Sequence, residues 1–176
     1  RIALSQNRWP DAQANAQKAQ ELAGTELHGT AAEASLTLCL TQALLGGAKK
    51  GQSKCKQAVE AARRANDPAV LAESLLALAT AMAQAGDAAG ATSNALEAQQ
   101  IFSHAGRRDC EWLAWLIAAR ASKESGDDVQ ARDYASHAQQ VFFSLQEWRS
   151  DYYNSYLNRP DVQLSLKQLE IVSGKT

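Results

Sequence analysis

Along most of the chain apolar residues return at intervals of three and four, the spacing that lines them up on one stripe of a helix. The stripe is built largely from small residues, and it repeats. Ala12, Ala16 and Ala19 are matched by Gly51, Cys55 and Ala58, then by Ala91, Ala95 and Ala98, then by Ala131, Ala135 and Ala138, at steps of 39, 40 and 40 residues. Large apolar residues extend it at Leu22, Ile101 and Val141, with Ala61 in the remaining place. A second set of columns runs through the preceding segment of each period: Ser35, Leu75 and Trp115; Leu38, Leu78 and Ala118; Cys39, Ala79 and Ala119. Longer stretches recur too. Ala98-Gln99-Gln100-Ile101-Phe102 returns as Ala138-Gln139-Gln140-Val141-Phe142, and Gly86-Asp87 as Gly126-Asp127, with Gly46-Gly47 one period earlier. A fixed period of this length marks an array in which each unit buries its apolar face on the next.

Breakers divide each period into two helices. A glycine just past a helix end supplies the left-handed residue that closes it, and a connection of a few residues makes the two helices antiparallel neighbours. Thr30 with Glu33 reads as a capping box, Asp67-Pro68 as an N-cap followed by a first-turn proline, and Asp109 as the cap of the next start. Pro10, Pro68 and Pro160 all fall at helix beginnings. The spacing predicts helices over 10–23, 30–45, 49–65, 68–85, 88–104, 109–124, 128–147 and 160–172, and no strand. The expected fold class is therefore all-α, an α-solenoid of antiparallel helix hairpins. It divides into a partial unit 1–25, units 26–66, 67–106 and 107–147, and a C-terminal capping segment and helix over 148–176. Tyr152, Tyr153, Tyr156 and Leu157 suit a cap, since an uncovered last hairpin would leave its apolar face wet.

Composition narrows the function classes. With 45% hydrophobic and 21% charged residues the chain is globular, which argues against disorder. A net charge of -1 gives a nucleic-acid partner no electrostatic support. No apolar run reaches the roughly 18 residues of a membrane span, because Glu73 interrupts the longest candidate, 69–85. A soluble, cytoplasmic protein is expected. Cys39, Cys55 and Cys110 are an odd number without CxxC spacing, so reduced, buried thiols are expected in place of a disulfide framework or a zinc site. The opening Arg1-Ile2-Ala3-Leu4 reads as the end of a helix without a signal segment, as in a piece cut from a larger protein.

Candidate chemistry does not assemble. Gly174-Lys175-Thr176 has the close of a phosphate loop, but Leu169 stands where its first glycine is required. His28, His104 and His137 fall at helix ends or on an outer face, with no His or Cys at ligand spacing. Asp127-Asp128 sits at a helix start, where capping and the helix dipole account for it. Lys49, Lys50, Lys54 and Lys56 with Arg63 and Arg64 make a basic helix face, read as solvated. No catalytic residue, metal or cofactor is assigned, and the segment is not read as an enzyme.

The pattern resembles the tetratricopeptide repeat, a helix hairpin with Trp early in its first helix, a Leu-Gly/Ala pair one turn on, Gly at the turn, then an aromatic, and Ala in the second helix. Trp115, Ala118-Ala119, Gly126 and Ala131 carry it in unit 107–147; Leu75, Leu78-Ala79, Gly86 and Ala91 carry it in unit 67–106. Asn7-Arg8-Trp9 stands where Gly and the aromatic are expected in the partial unit. The period exceeds the usual ~34 residues, similar to the longer-helix variety in bacterial signalling proteins, and Ala48, Ala88 and Asp128 replace the aromatic after the turn.

Over roughly residues 1–147 the resemblance implies a right-handed superhelix whose first helices line a concave face that holds a peptide or helix of a partner. Carried over by position, that face is Glu33, Leu36, Thr37 and Leu40; then Glu73, Leu76, Ala77 and Thr80; then Leu113, Leu116, Ile117, Arg120 and Lys123. The Lys/Asn clamp that holds a C-terminal carboxylate in some members is missing. The resemblance thus implies a non-catalytic protein–protein interaction scaffold. The alternative is a regulatory or sensor arm of a larger multidomain enzyme, a kinase or caspase-like protease, with catalysis elsewhere. A second copy of the chain, or the chain's own tail, is the competing occupant of the face.

Overall fold

The computed structural model describes residues 8–24, 26–45 and 48–174; Arg1–Leu4, Asn7, Gly46-Gly47 and Lys175-Thr176, used above, lie outside them. The described residues are all-helical, with nine α-helices, one short 3-10 turn and no strand. The helices are α1 (Trp9–Ala23), α2 (His28–Leu45), α3 (Ala48–Ala65), α4 (Pro68–Gln84), α5 (Ala88–His104), α6 (Arg108–Glu124), α7 (Asp128–Ser144), α8 (Ser150–Leu157) and α9 (Pro160–Ser173), with the 3-10 turn at Leu145–Glu147. Contacts group them into two compact units, one ending at Gly86 and the other starting at Asp87. None of the described helices is long and apolar enough to cross a membrane.

Connections explain why the helices stop where they do. Gly86, Gly106 and Gly126 take positive φ of 82°, 66° and 85°, a conformation costly for any residue with a Cβ. Asp87 and Asp127 follow Gly86 and Gly126, and Asp67 follows Asn66 at φ 51°; each accepts from backbone N–H groups of the next helix: Gly90, Gln130, and Ala69 with Val70 respectively. Two expected caps fall elsewhere. Helix α2 already begins at His28, so Thr30 lies inside its first turn and does not make a capping box. At α6 the N-cap is Arg107, and Asp109, in the first turn, binds the Arg107 guanidinium at 3.0 Å.

In the first unit, consecutive helices α1 to α4 pack on one another and α2 also touches α4. Buried hydroxyls on α2 are satisfied within the helix: Ser35 donates to the carbonyl of Ala31, Thr37 to Glu33 and Thr41 to Thr37. The expectation of reduced thiols is overturned here. Cys39 of α2 and Cys55 of α3 form a disulfide, with Cα atoms 4.5 Å apart and both side chains fully buried. The column positions that elsewhere hold alanine bring these helices close enough for the bridge. Cys110 remains outside it, its Sγ 3.2 Å from Nη2 of Arg107.

In the second unit, α5, α6 and α7 pack in sequence and α9 lies against α6 and α7. The core joins Trp112, Leu116 and Ala119 of α6 to Ala131, Ala135, Ala138 and Phe142 of α7, and to Leu145, Tyr156, Val162, Leu169 and Val172 of the tail. A polar column shows whose place α9 takes. Gln20 of α1 donates to Ser35 of α2, and Gln99 of α5 to Glu111 of α6, each at 2.8 Å. Gln139 of α7, in the same column, donates to Ser173 of α9 at 2.8 Å. Helix α9 therefore stands where the first helix of a following hairpin would stand, and it closes the unit.

Candidate partner-binding site

The expected concave face divides when its residues are located. On α2, Leu36 is 0% exposed and Thr37 buried, while Glu33 is exposed and Leu40 half-buried. On α4, Glu73, Leu76, Ala77 and Thr80 are half-buried, and the Thr80 hydroxyl donates to the Leu76 carbonyl. On α6, Leu116 is 2% exposed within the core, Leu113 packs against that core, and Ile117 is half-buried. Arg120 donates to Oε1 of Gln168 at 3.0 Å, and Lys123 to the Ile171 carbonyl at 3.0 Å. Leu36 and Leu116 are thus core side chains and not groove lining. The chain's own α9 holds Arg120 and Lys123, the competing occupant weighed for this face.

The tail is fixed by one buried polar chain. Trp112 Nε1 donates to the Tyr156 hydroxyl at 2.6 Å, and that hydroxyl donates to the Asp109 carbonyl at 2.9 Å. Burial pushes the Tyr156 phenol up to about 12, aided by the nearby Asp109 charge and opposed by the Trp112 N–H. Burial also acts to raise Asp109, but hydrogen bonding and the charge of Arg107 outweigh it and hold that carboxyl low. The Tyr156 shift has a definite sign. Its folded value lies above the ordinary 10.0, so its contribution is fully present below pH 10 and is lost as pH rises toward about 12. Urea midpoints on either side of pH 10 are expected to fall with rising pH, and Tyr156→Phe to flatten that slope. An equally steep slope in the variant would remove the hydroxyl from the account.

The first unit carries a cleft of about 710 Å³ between α1 and α2. One wall is Arg8, Ala12, Asn15, Ala16 and Ala19; the other is Gly29, Thr30, Glu33, Ala34 and Thr37. Its charged groups are Arg8, which binds Asp11 at 3.2 Å, and Glu33. Two expected face residues, Glu33 and Thr37, line this cleft. The inward stripe expected at Ala12, Ala16 and Ala19 is there, with Ala12 3% and Ala16 5% exposed and Ala19 half-buried, so the first two form only the floor of the cleft. The volume falls within the ~300–1,000 Å³ of ligand clefts, but a lining of alanine, glycine and threonine suits a close-approaching backbone more than a small polar molecule. Comparison with protein-family models and with curated proteins finds no match to this chain.

Proposed function

We propose that the chain is a non-catalytic protein-interaction scaffold of the tetratricopeptide type, which receives a segment of a partner protein in the cleft between α1 and α2. The observation that supports this reading is the cleft itself: a small-residue groove in a helical array, with one exposed carboxylate on its wall. The corresponding ground on α6 is already held by α9. The disulfide bears on the compartment. Such bonds persist in oxidising environments and are rare in the cytosol, so Cys39–Cys55 favours an oxidising compartment over the cytoplasmic one expected from sequence.

Ala19 is half-buried on the cleft wall, so Ala19→Trp fills the groove at little cost to the core. Immobilised wild-type chain is expected to retain partners from native extract that the Ala19→Trp chain releases, with unchanged helicity. Arg132→Ala, at an exposed position on α7, serves as the control. An identical set of retained proteins on wild type and Ala19→Trp would refute the cleft as the site.

A further inference from the structure

Six of the chain's 18 lysines and arginines fall on α3, namely Lys49, Lys50, Lys54, Lys56, Arg63 and Arg64, against the single carboxylate Glu60. The other helices that carry an alanine column show no such excess. Helix α1 holds Lys18 beside Asp11 and Glu21, α7 holds Arg132 beside Asp128 and Asp133, and α5 has neither lysine nor arginine. An outer position in the array therefore does not by itself call for these cations. Packing sorts them to one side. Gly51, Cys55, Ala58, Val59 and Ala62 are buried, and the Cys39–Cys55 bond holds that face against α2. Lys50 and Arg64 lie two seven-residue steps apart and Lys56 and Arg63 one, which sets two rows side by side on the outer face. All four are exposed, and Lys54, half-buried beside them, has its Nζ 3.1 Å from Oε1 of Gln57. From Lys50 to Arg64 the patch runs ~21 Å.

Among the described side chains of α3, the other exposed ones are Ser53, Gln57 and Glu60, all polar. A face without an exposed apolar side chain lacks the desolvated anchors on which protein interfaces depend, whereas a layer of phosphate headgroups requires only charge. The disulfide, which favours an oxidising compartment, favours a membrane over a nucleic acid as the source of those phosphates. We infer that α3 seats the chain on an anionic phospholipid surface, its two rows of cations among the headgroup phosphates. The inner face of α3 stays packed on α2 and α4, so the contact is peripheral and electrostatic. No residue of α3 lines the cleft between α1 and α2, and membrane contact and partner capture stand or fall separately.

Co-sedimentation of the full, disulfide-bonded chain with vesicles tests this. The chain is expected to pellet with phosphatidylcholine vesicles containing about 30% phosphatidylglycerol and not with phosphatidylcholine alone, and to be released as salt rises from ~50 to ~300 mM. Lys56→Glu with Arg64→Glu should weaken binding at least ~tenfold, since each lost cation removes about fivefold. Lys18→Glu with Arg132→Glu makes the same change of net charge at exposed positions of α1 and α7 and should leave binding in place. Glutamine at positions 56 and 64 should give a smaller loss in the same direction with an unchanged melting curve. Equal pelleting with the two lipid compositions, or equal losses from the two glutamate pairs, would overturn the inference. Tighter binding of duplex DNA or of polyglutamate at matched salt would also overturn it, and would assign the face to a nucleic acid or to an acidic protein.

Discussion

Replacing Cys39 and Cys55 together by alanine is expected to lower stability by about 3 kcal/mol while leaving the helices in place. The bridge closes a loop of sequence separation 16, and cross-linking a loop of that size restricts the unfolded chain by roughly that amount. Alanine is the informative choice. Ala119 and Ala135 occupy the matching columns in the second unit and pack in one core, so the double variant removes the bond without introducing a shape the fold does not already use. A serine pair would instead bury two hydroxyls without assured partners. Urea denaturation of the two proteins without reductant gives the comparison. Thiol titration in denaturant checks the bond directly: one group per chain, Cys110, should react before reduction and three after it. Three thiols without reductant, or midpoints that agree within a few tenths of a kcal/mol, would remove the bridge from the native protein. Because both sulfurs are fully buried, reductant added to folded chain is expected to act only as fast as the hairpin opens.

What the sequence made legible was everything carried by short spacing and by repetition. The prolines, the Gly-Asp turns and the alanine columns each act within one or two turns of helix, so helix starts and ends could be read to within about two residues, save that the helix expected over 128–147 stops at Ser144 and gives way to the 3-10 turn. The Ala-Gln-Gln recurrence carried more than its use as a period marker, for its first glutamine is the amide that ties a second helix to the helix after it. Three features were not legible. Helix α8 has eight residues, too few for a periodic stripe to show. The Cys39–Cys55 pairing is a relation between columns on two helices, while cysteine spacing along the chain was the property inspected; that Ala119 and Ala135 hold the same two columns was the available clue. The division of the concave face into core and surface was hidden for a third reason. A first helix in such an array has neighbours on several sides, so Leu36 and Leu116 look like surface leucines until those neighbours are placed, and Leu116 lies in a core that draws residues from α7 and from the tail, which stands outside the period.

Trp112→Ala is expected to cost about 3–5 kcal/mol, the range for removing a large buried aromatic from a core. The side chain is fully buried. Its ring meets Phe142 edge-on at 5.0 Å, and its Nε1 donates to Tyr156 across 44 residues of sequence. Truncation therefore removes core volume and the anchor of the tail in one step, and hydrogen exchange should accelerate most in 150–173, since Tyr156 leads into α9. Smaller changes separate the two contributions. Tyr156→Phe keeps the ring beside Trp148, 5.7 Å between centroids, but leaves the buried indole N–H without its acceptor, a loss of roughly 1–3 kcal/mol. Trp112→Phe removes the donor and leaves the Tyr156 hydroxyl its bond to the Asp109 carbonyl. If the hydrogen bond couples repeat to tail, the double variant Trp112→Phe with Tyr156→Phe will be more stable than the sum of the two single losses predicts, because the orphaned N–H is gone. Strict additivity would show that the tail is held by apolar packing alone, with the Trp112–Tyr156 bond contributing nothing to the closure of the array.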